Sequence, residues 1–186
     1  ATVTLGDNRV AGDVLSLAGT GAFVNKNVGT AKTVNVTGIN VTGTDAGNYS
    51  FNTTATTAAD ITARALTITA TGQNKVYDGT ANATVTPSDD RVAGDALTFT
   101  ATATFANKNV GTGKTINVTG INLGGTDAGN YTYNTTATTA ADITRASITA
   151  VTGITALDKT EDGTALATLV LGGASFTGRV PGDSLG

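Results

Sequence analysis

The chain has 186 residues, a formal net charge of -3 and a pI near 4.7, with 24 glycines and no cysteine, methionine, tryptophan or histidine. Its 11 basic residues are scattered, which excludes a phosphate-tracking stripe and with it a nucleic-acid partner. Lack of Cys and His removes disulfides, thiolate metal sites, the best nucleophile and the usual general base, so no enzymatic activity is expected.

The first predicted element is a repeat. Residues 1–62 return at 83–144 with an offset of 82, and 45 of the 62 aligned positions are identical. Arg9 to Asp13 returns as Arg91 to Asp95, Asn25 to Thr30 as Asn107 to Thr112, and Thr44 to Tyr49 as Thr126 to Tyr131. An array of this kind builds a modular rod more readily than one active site. The chain is expected to hold a partial first repeat at 1–62 that lacks its opening strands, a complete repeat at 63–144 and a divergent partial third at 145–186. It opens and closes within a repeat, as an excised piece of a longer protein would.

In the first copy Leu15, Leu17, Gly19, Gly21 and Phe23 alternate with polar or small residues, and in the second Leu97, Phe99, Ala101, Ala103 and Phe105 alternate with threonines. A period of two over nine residues predicts a strand with one wet face. Ile116 and Val118 keep one parity, whereas Ile121 and Leu123 take the other. A β-bulge at Gly120, and at Gly38 in the first copy, would bring both pairs to the same face.

The complete copy opens with the alternating run Leu66 to Ala70, followed by a turn at Tyr77-Asp78-Gly79. Alternation resumes over Ala81 to Val85, and Pro87 to Asp90 is expected to break it. Tyr131-Thr132-Tyr133 and Ala141-Asp142-Ile143 supply the last strands. Each copy thus holds six or seven short antiparallel strands, the pattern of a β-sandwich. The turns Asp45-Ala46-Gly47-Asn48-Tyr49 and Asp127-Ala128-Gly129-Asn130-Tyr131 match the tyrosine corner of immunoglobulin-like sandwiches, whose phenol bonds an upstream backbone group. The expected fold is all-β, tandem Ig-like antiparallel sandwiches forming an elongated rod.

The third copy repeats Asp78 to Ala81 as Asp162 to Ala165 and Arg91 to Asp95 as Arg179 to Asp183, with Glu161 in place of Tyr77. Residues 145–186 contain the strands that 1–62 lack. An arbitrary boundary explains this, and head-to-tail strand exchange between chains is the sharper alternative.

These phrases resemble the YDG repeats of bacterial, filamentous-haemagglutinin-like surface adhesins. Tyr77-Asp78-Gly79, Phe105 to Thr112, Val118 to Ile121 and Asp127 to Tyr131 carry the resemblance. It implies an extracellular, cell-surface spacer or adhesive role, in adhesion or biofilm attachment, and brings no catalytic residues. The alternative function is that the repeats themselves bind a glycan or host protein, with or without calcium, or self-associate into a fibre by strand exchange. The implied partners are neighbouring repeats, a second chain or such a surface ligand. Membrane insertion is not expected, since no apolar run approaches the ~20 residues of a spanning helix.

No cofactor is expected; the one alternative the residues offer is calcium, through Asp13, Asp45, Asp95 and Asp127, with Asp60 and Asp142 also near Gly and Asn. The competing role for these aspartates is to accept backbone amides in turns. Eight Asn-x-Ser/Thr sequons, from Asn35 to Asn134, offer glycosylation sites or follow from Asn and Thr abundance. A Lys–Asn isopeptide cross-link would need a buried acid beside it, and the two homologous copies contain no glutamate.

Overall fold

Glycine, threonine and other β-branched residues disfavour helices, and nearly all of the regular structure is strand. The computed structural model describes residues 1–185. Its strands are β1 (Ser16–Phe23), β2 (Gly29–Thr42), β3 (Ala55–Ile61), β4 (Arg64–Leu66), β5 (Ile68–Gly72), β6 (Lys75–Val76), β7 (Val85–Asp89) and β8 (Thr98–Phe105). They continue with β9 (Gly111–Gly124), β10 (Tyr131–Tyr133), β11 (Ala137–Thr144), β12 (Ala150–Thr152), β13 (Thr155–Ala156), β14 (Leu169–Val170) and β15 (Ser175–Thr177). Two single 3-10 turns, Ala46–Asn48 and Ala128–Asn130, are the only helical pieces among the described residues, and no helix there is long and apolar enough to cross a membrane.

The strands group into two compact units that cut across the sequence copies. The first comprises residues 1–66, 91–98 and 124–133. Here β1, β2 and β3 form an antiparallel sheet with β2 central. Ala18 faces Asn40 and Thr20 faces Thr37, so Gly38 and Ile39 together oppose Gly19. Gly38 takes φ 63, a left-handed value at which a side chain is strained. The extra residue lets Val34, Val36 and Ile39 all turn inward, where Val3, Leu5 and Phe23 pack on them. Leu66, Leu97 and Tyr131 are also buried, and β4 pairs with β10 in parallel.

The second unit comprises residues 67–90, 99–123 and 134–186, the last position lying outside those described. A four-stranded sheet of order β6-β11-β9-β8 carries most of its core: Phe105, Ile116, Val118, Ile121, Ala141 and Ile143. Ile116 is fully enclosed, and Gly120 repeats the left-handed bulge conformation at φ 62. The β5–β7 pair packs on this sheet: a Cβ on Gly72 would stand 2.7 Å from the Ala140 carbonyl oxygen and 2.8 Å from Ile116.

Two expectations need correction. Pro87 does not break the strand: it sits in β7, opposite Ala70 of β5. Among the described residues β7 is paired with β5 alone, at the margin of a two-stranded sheet, where a proline is tolerated. Nor are all pairings antiparallel, since β4–β10 and β6–β11 run parallel. Such pairs join strands distant in sequence, which turn signals alone do not reveal.

In the third copy β12 pairs with β15 and β13 with β14. No described residue from 145 onward is buried, and Leu157, Leu166, Leu169 and Leu171 face solvent.

Candidate functional site

The repeated loops Arg-Val-Ala-Gly-Asp and Asp-Ala-Gly-Asn-Tyr meet in both complete cases. In the first copy the Tyr49 hydroxyl accepts a hydrogen bond from the Val10 amide at 2.9 Å and donates to Asp13 at 2.5 Å. In the second, the Tyr131 hydroxyl accepts from the Val92 amide at 2.9 Å and donates to Asp95 at 2.6 Å. Asp45 accepts the Val14 amide at 2.8 Å, and Asp127 accepts the Ala96 amide at 2.9 Å. The phenol therefore bonds a backbone group 39 residues upstream, as acceptor, with its own proton given to a carboxylate. Neither Asp45 nor Asp127 caps the 3-10 turn it precedes. Gly47 and Gly129 lie inside these turns with open space around them.

A lysine from the preceding copy enters the second of these loop pairs. Lys26 Nζ lies 2.5 Å from Asp95 Oδ1 and 2.8 Å from Asp127 Oδ1, and those two carboxylates are largely covered, with 8% and 14% of their side chains exposed. Beside it the Val28 amide donates to Asn130 Oδ1 at 2.9 Å. Hydrogen bonds to Asp127 and Asp95 hold the Lys26 ammonium well above the ordinary lysine range. Lys26 in turn holds both carboxyls below the usual aspartate value, helped at Asp95 by the Tyr131 hydroxyl and at Asp127 by the Ala96 amide.

The equivalent lysine of the second copy approaches the equivalent aspartate of the third, at a longer distance. Lys108 Nζ lies 3.7 Å from Asp183 Oδ1 and 5.8 Å from the Tyr77 ring centroid. The Tyr77 hydroxyl donates to the same Asp183 oxygen at 2.8 Å. Hydrogen bonding to Tyr77, with Asp183 close by, raises Lys108 above its ordinary value. Tyr77 is half-buried, and a Cβ on Gly79 would come within 2.9 Å of Val180. The turn itself is braced by Asp78, which accepts from Lys75 Nζ, the Thr80 amide and the Thr80 hydroxyl, all at 2.9 Å. These bonds, Lys75 first, push the Asp78 carboxyl down to about 2.

The third copy keeps this brace although Glu161 replaces the tyrosine. Lys159 bonds Asp162 and Thr164, while Glu161 accepts the Gly163 amide.

The aspartates singled out for calcium are thus occupied by amides, phenols and ammonium groups. Asp60 and Asp142 likewise accept the amides of Ala31 and Gly113, both at 2.8 Å. No group of three or more His, Cys, Asp or Glu among the described residues is arranged to hold a metal ion. Lys32 and Lys114 bond the side chains of Asn25 and Asn107, but both asparagines are exposed, unlike the buried setting a cross-link requires. Asn134, read from sequence only as a sequon, accepts the Ile68 amide and donates to the Ile68 and Thr136 carbonyls. An apolar cleft of the second unit, lined by Ile68, Val85, Pro87 and Phe99 among others, carries no charged side chain.

Sequence reasoning missed the lysine contacts. The signal was present in the Asn-Lys-Asn-Val phrase, where an exposed turn keeps a lysine and a valine in both copies, but no local pattern says what such a loop touches.

A repeated all-β chain in which the lysine loop of one copy meets the aspartate loops of the next is a tandem-repeat protein by construction. A family model described as the YDG domain matches it twice, over residues 1–58 and 62–140, and the chain belongs to that family. Searches of curated proteins and of solved structures return no match.

Proposed function

We propose that this chain is a segment of the stalk of a large extracellular bacterial adhesin or surface fibre, whose repeats act as spacers projecting a binding region. The observation that carries this is the recurrence of one contact: Lys26 on Asp95 and Asp127, then Lys108 on Asp183. A chain that couples each copy to the next through the same residues transmits load and adds length without needing a pocket. Each complete repeat is assigned a two-layer, Ig-like sandwich. The β5–β7 pair against the β6-β11-β9-β8 sheet supports that architecture, as does the tyrosine bonded to an upstream amide.

Small-angle scattering on recombinant chains of two, three and four copies tests the spacer role. The maximum dimension should grow by a constant increment per copy, and a particle that merely thickens overturns it. Antibody labelling of intact source cells tests the location, with signal expected only if the repeats lie outside. Saturable glycan or host-cell binding by this chain alone would replace the spacer role with a receptor-binding one.

A further inference from the structure

We propose that the loop pair of Asp13, Asp45 and Tyr49 is a docking site for the Asn-Lys-Asn-Val loop of a further YDG repeat. The partner is identified by the site's double, which is filled within the same chain. At Asp95, Asp127 and Tyr131 the lysine of the preceding copy sits between two carboxylates, and its valine amide caps the asparagine of the turn. The first copy reproduces the receiving side bond for bond. Tyr49 links the Val10 amide to Asp13 as Tyr131 links the Val92 amide to Asp95, and Asp45 holds the Val14 amide as Asp127 holds Ala96. Asp45 also donates its own amide to Val14 O, at 3.5 Å, as Asp127 does to Ala96 O at 3.4 Å. The receiving geometry therefore does not depend on the lysine being there, and a preformed site loses less ordering entropy on binding.

The surface differs as an uncovered site should. Val10 is 67% exposed against 47% for Val92, Asn48 is exposed where Asn130 is half-buried, and Tyr49 is half-buried where Tyr131 is buried. Both Asn-Lys-Asn-Val loops of this chain are already engaged, Lys26 with Asp95 and Asp127 and Lys108 with Asp183. The occupant must come from another repeat. The inference goes beyond the spacer role, because an array of receptor-binding repeats would need the same coupling.

The test is a chain extended by residues 83–144 followed by 63–82 ahead of Ala1, which continues the 82-residue period. Nitration of Tyr49 by tetranitromethane, mapped by peptide mass spectrometry, should slow several-fold relative to the original chain. A version with methionine in place of the added loop's lysine should regain the original rate. Equal rates in the extended and original chains overturn the docking site, and protection that survives the methionine overturns the role of the lysine.

The original chain supplies a check that does not depend on the extension folding. Lys26→Met should speed nitration of Tyr131 and move the carboxylate NMR signals of Asp95 and Asp127. If Tyr131 and both signals are unmoved, the lysine loop does not cover this tyrosine, and the docking site inferred from it falls. Scattering increments for the spacer role are measured separately, so either conclusion can fail alone.

Discussion

Ala31 is the one described non-glycine residue with a positive φ, 48, and its counterpart in the second copy is Gly113 at φ 57. Both amides donate to an aspartate across the sheet, so the conformation is held by the same bond in each copy. A left-handed alanine is strained, and glycine relieves that strain at some cost in unfolded-chain entropy. Ala31→Gly should therefore stabilise by about 0.5–1 kcal/mol, and Gly113→Ala should destabilise by a similar amount, read from urea midpoints. The Lys26 cluster supplies a pH signature at the same scale. Asp95 and Asp127 are depressed in the folded state, so their contribution is full above the unfolded value of 3.8 and is lost as pH falls through their folded values. Lys26 is raised, so its contribution is full below 10.5 and is lost only as pH rises through its folded value. Hydrogen exchange at the Val28 amide, beside the cluster, should be slowest relative to Lys26→Met on the plateau between those limits. The difference should shrink below pH 3.8, as the two carboxylates take up protons.

At the scale of elements, the bulge decides what each long strand buries. Deleting Gly120 would turn Ile121 and Leu123, now buried, out to solvent. At about 1.5–3 kcal/mol for each exposed side chain, the loss approaches the stability of a small domain, about 5–15 kcal/mol. The deletion should therefore abolish the cooperative transition of the second unit, as followed by circular dichroism and amide dispersion. Ile116→Ala, at the most enclosed site, should cost about 2–5 kcal/mol without changing register. Gly125 shows a second constraint: at φ 107 its added Cβ would stand 2.2 Å from the Ala96 carbonyl oxygen. Gly125→Ala should lose more than about 1 kcal/mol, because the clash is with backbone that cannot rotate away.

At the scale of the whole molecule, covalent period and physical grouping differ. The loops 91–98 and 124–133 belong to the second copy by sequence and to the first compact unit by contact. Lys26, Val28 and Asn130 stitch that unit together, so a cut at residue 62 or 63 would sever a receiving loop from its lysine. A fragment of residues 63–144 should consequently expose Tyr131 more than the full chain does, and nitration mapping would reveal the difference. Identical Tyr131 rates in fragment and full chain would mean that the lysine loop contributes no cover.

The repeat, its 82-residue offset, the strand character of each copy, the parity change at Gly38 and Gly120, and the family were all legible in the residues alone. All of these are local or periodic signals: side-chain alternation follows from strand geometry, and an inserted glycine shifts it wherever the strand ends up. Tertiary structure decided which strands run parallel, that Pro87 lies at the margin of a two-stranded sheet, and that Asp95 and Asp127 receive Lys26. The physical reason is distance along the chain. Asp95 and Lys26 are 69 residues apart, and a carboxylate in a turn reads alike in sequence whether an amide, a cation or a metal completes it.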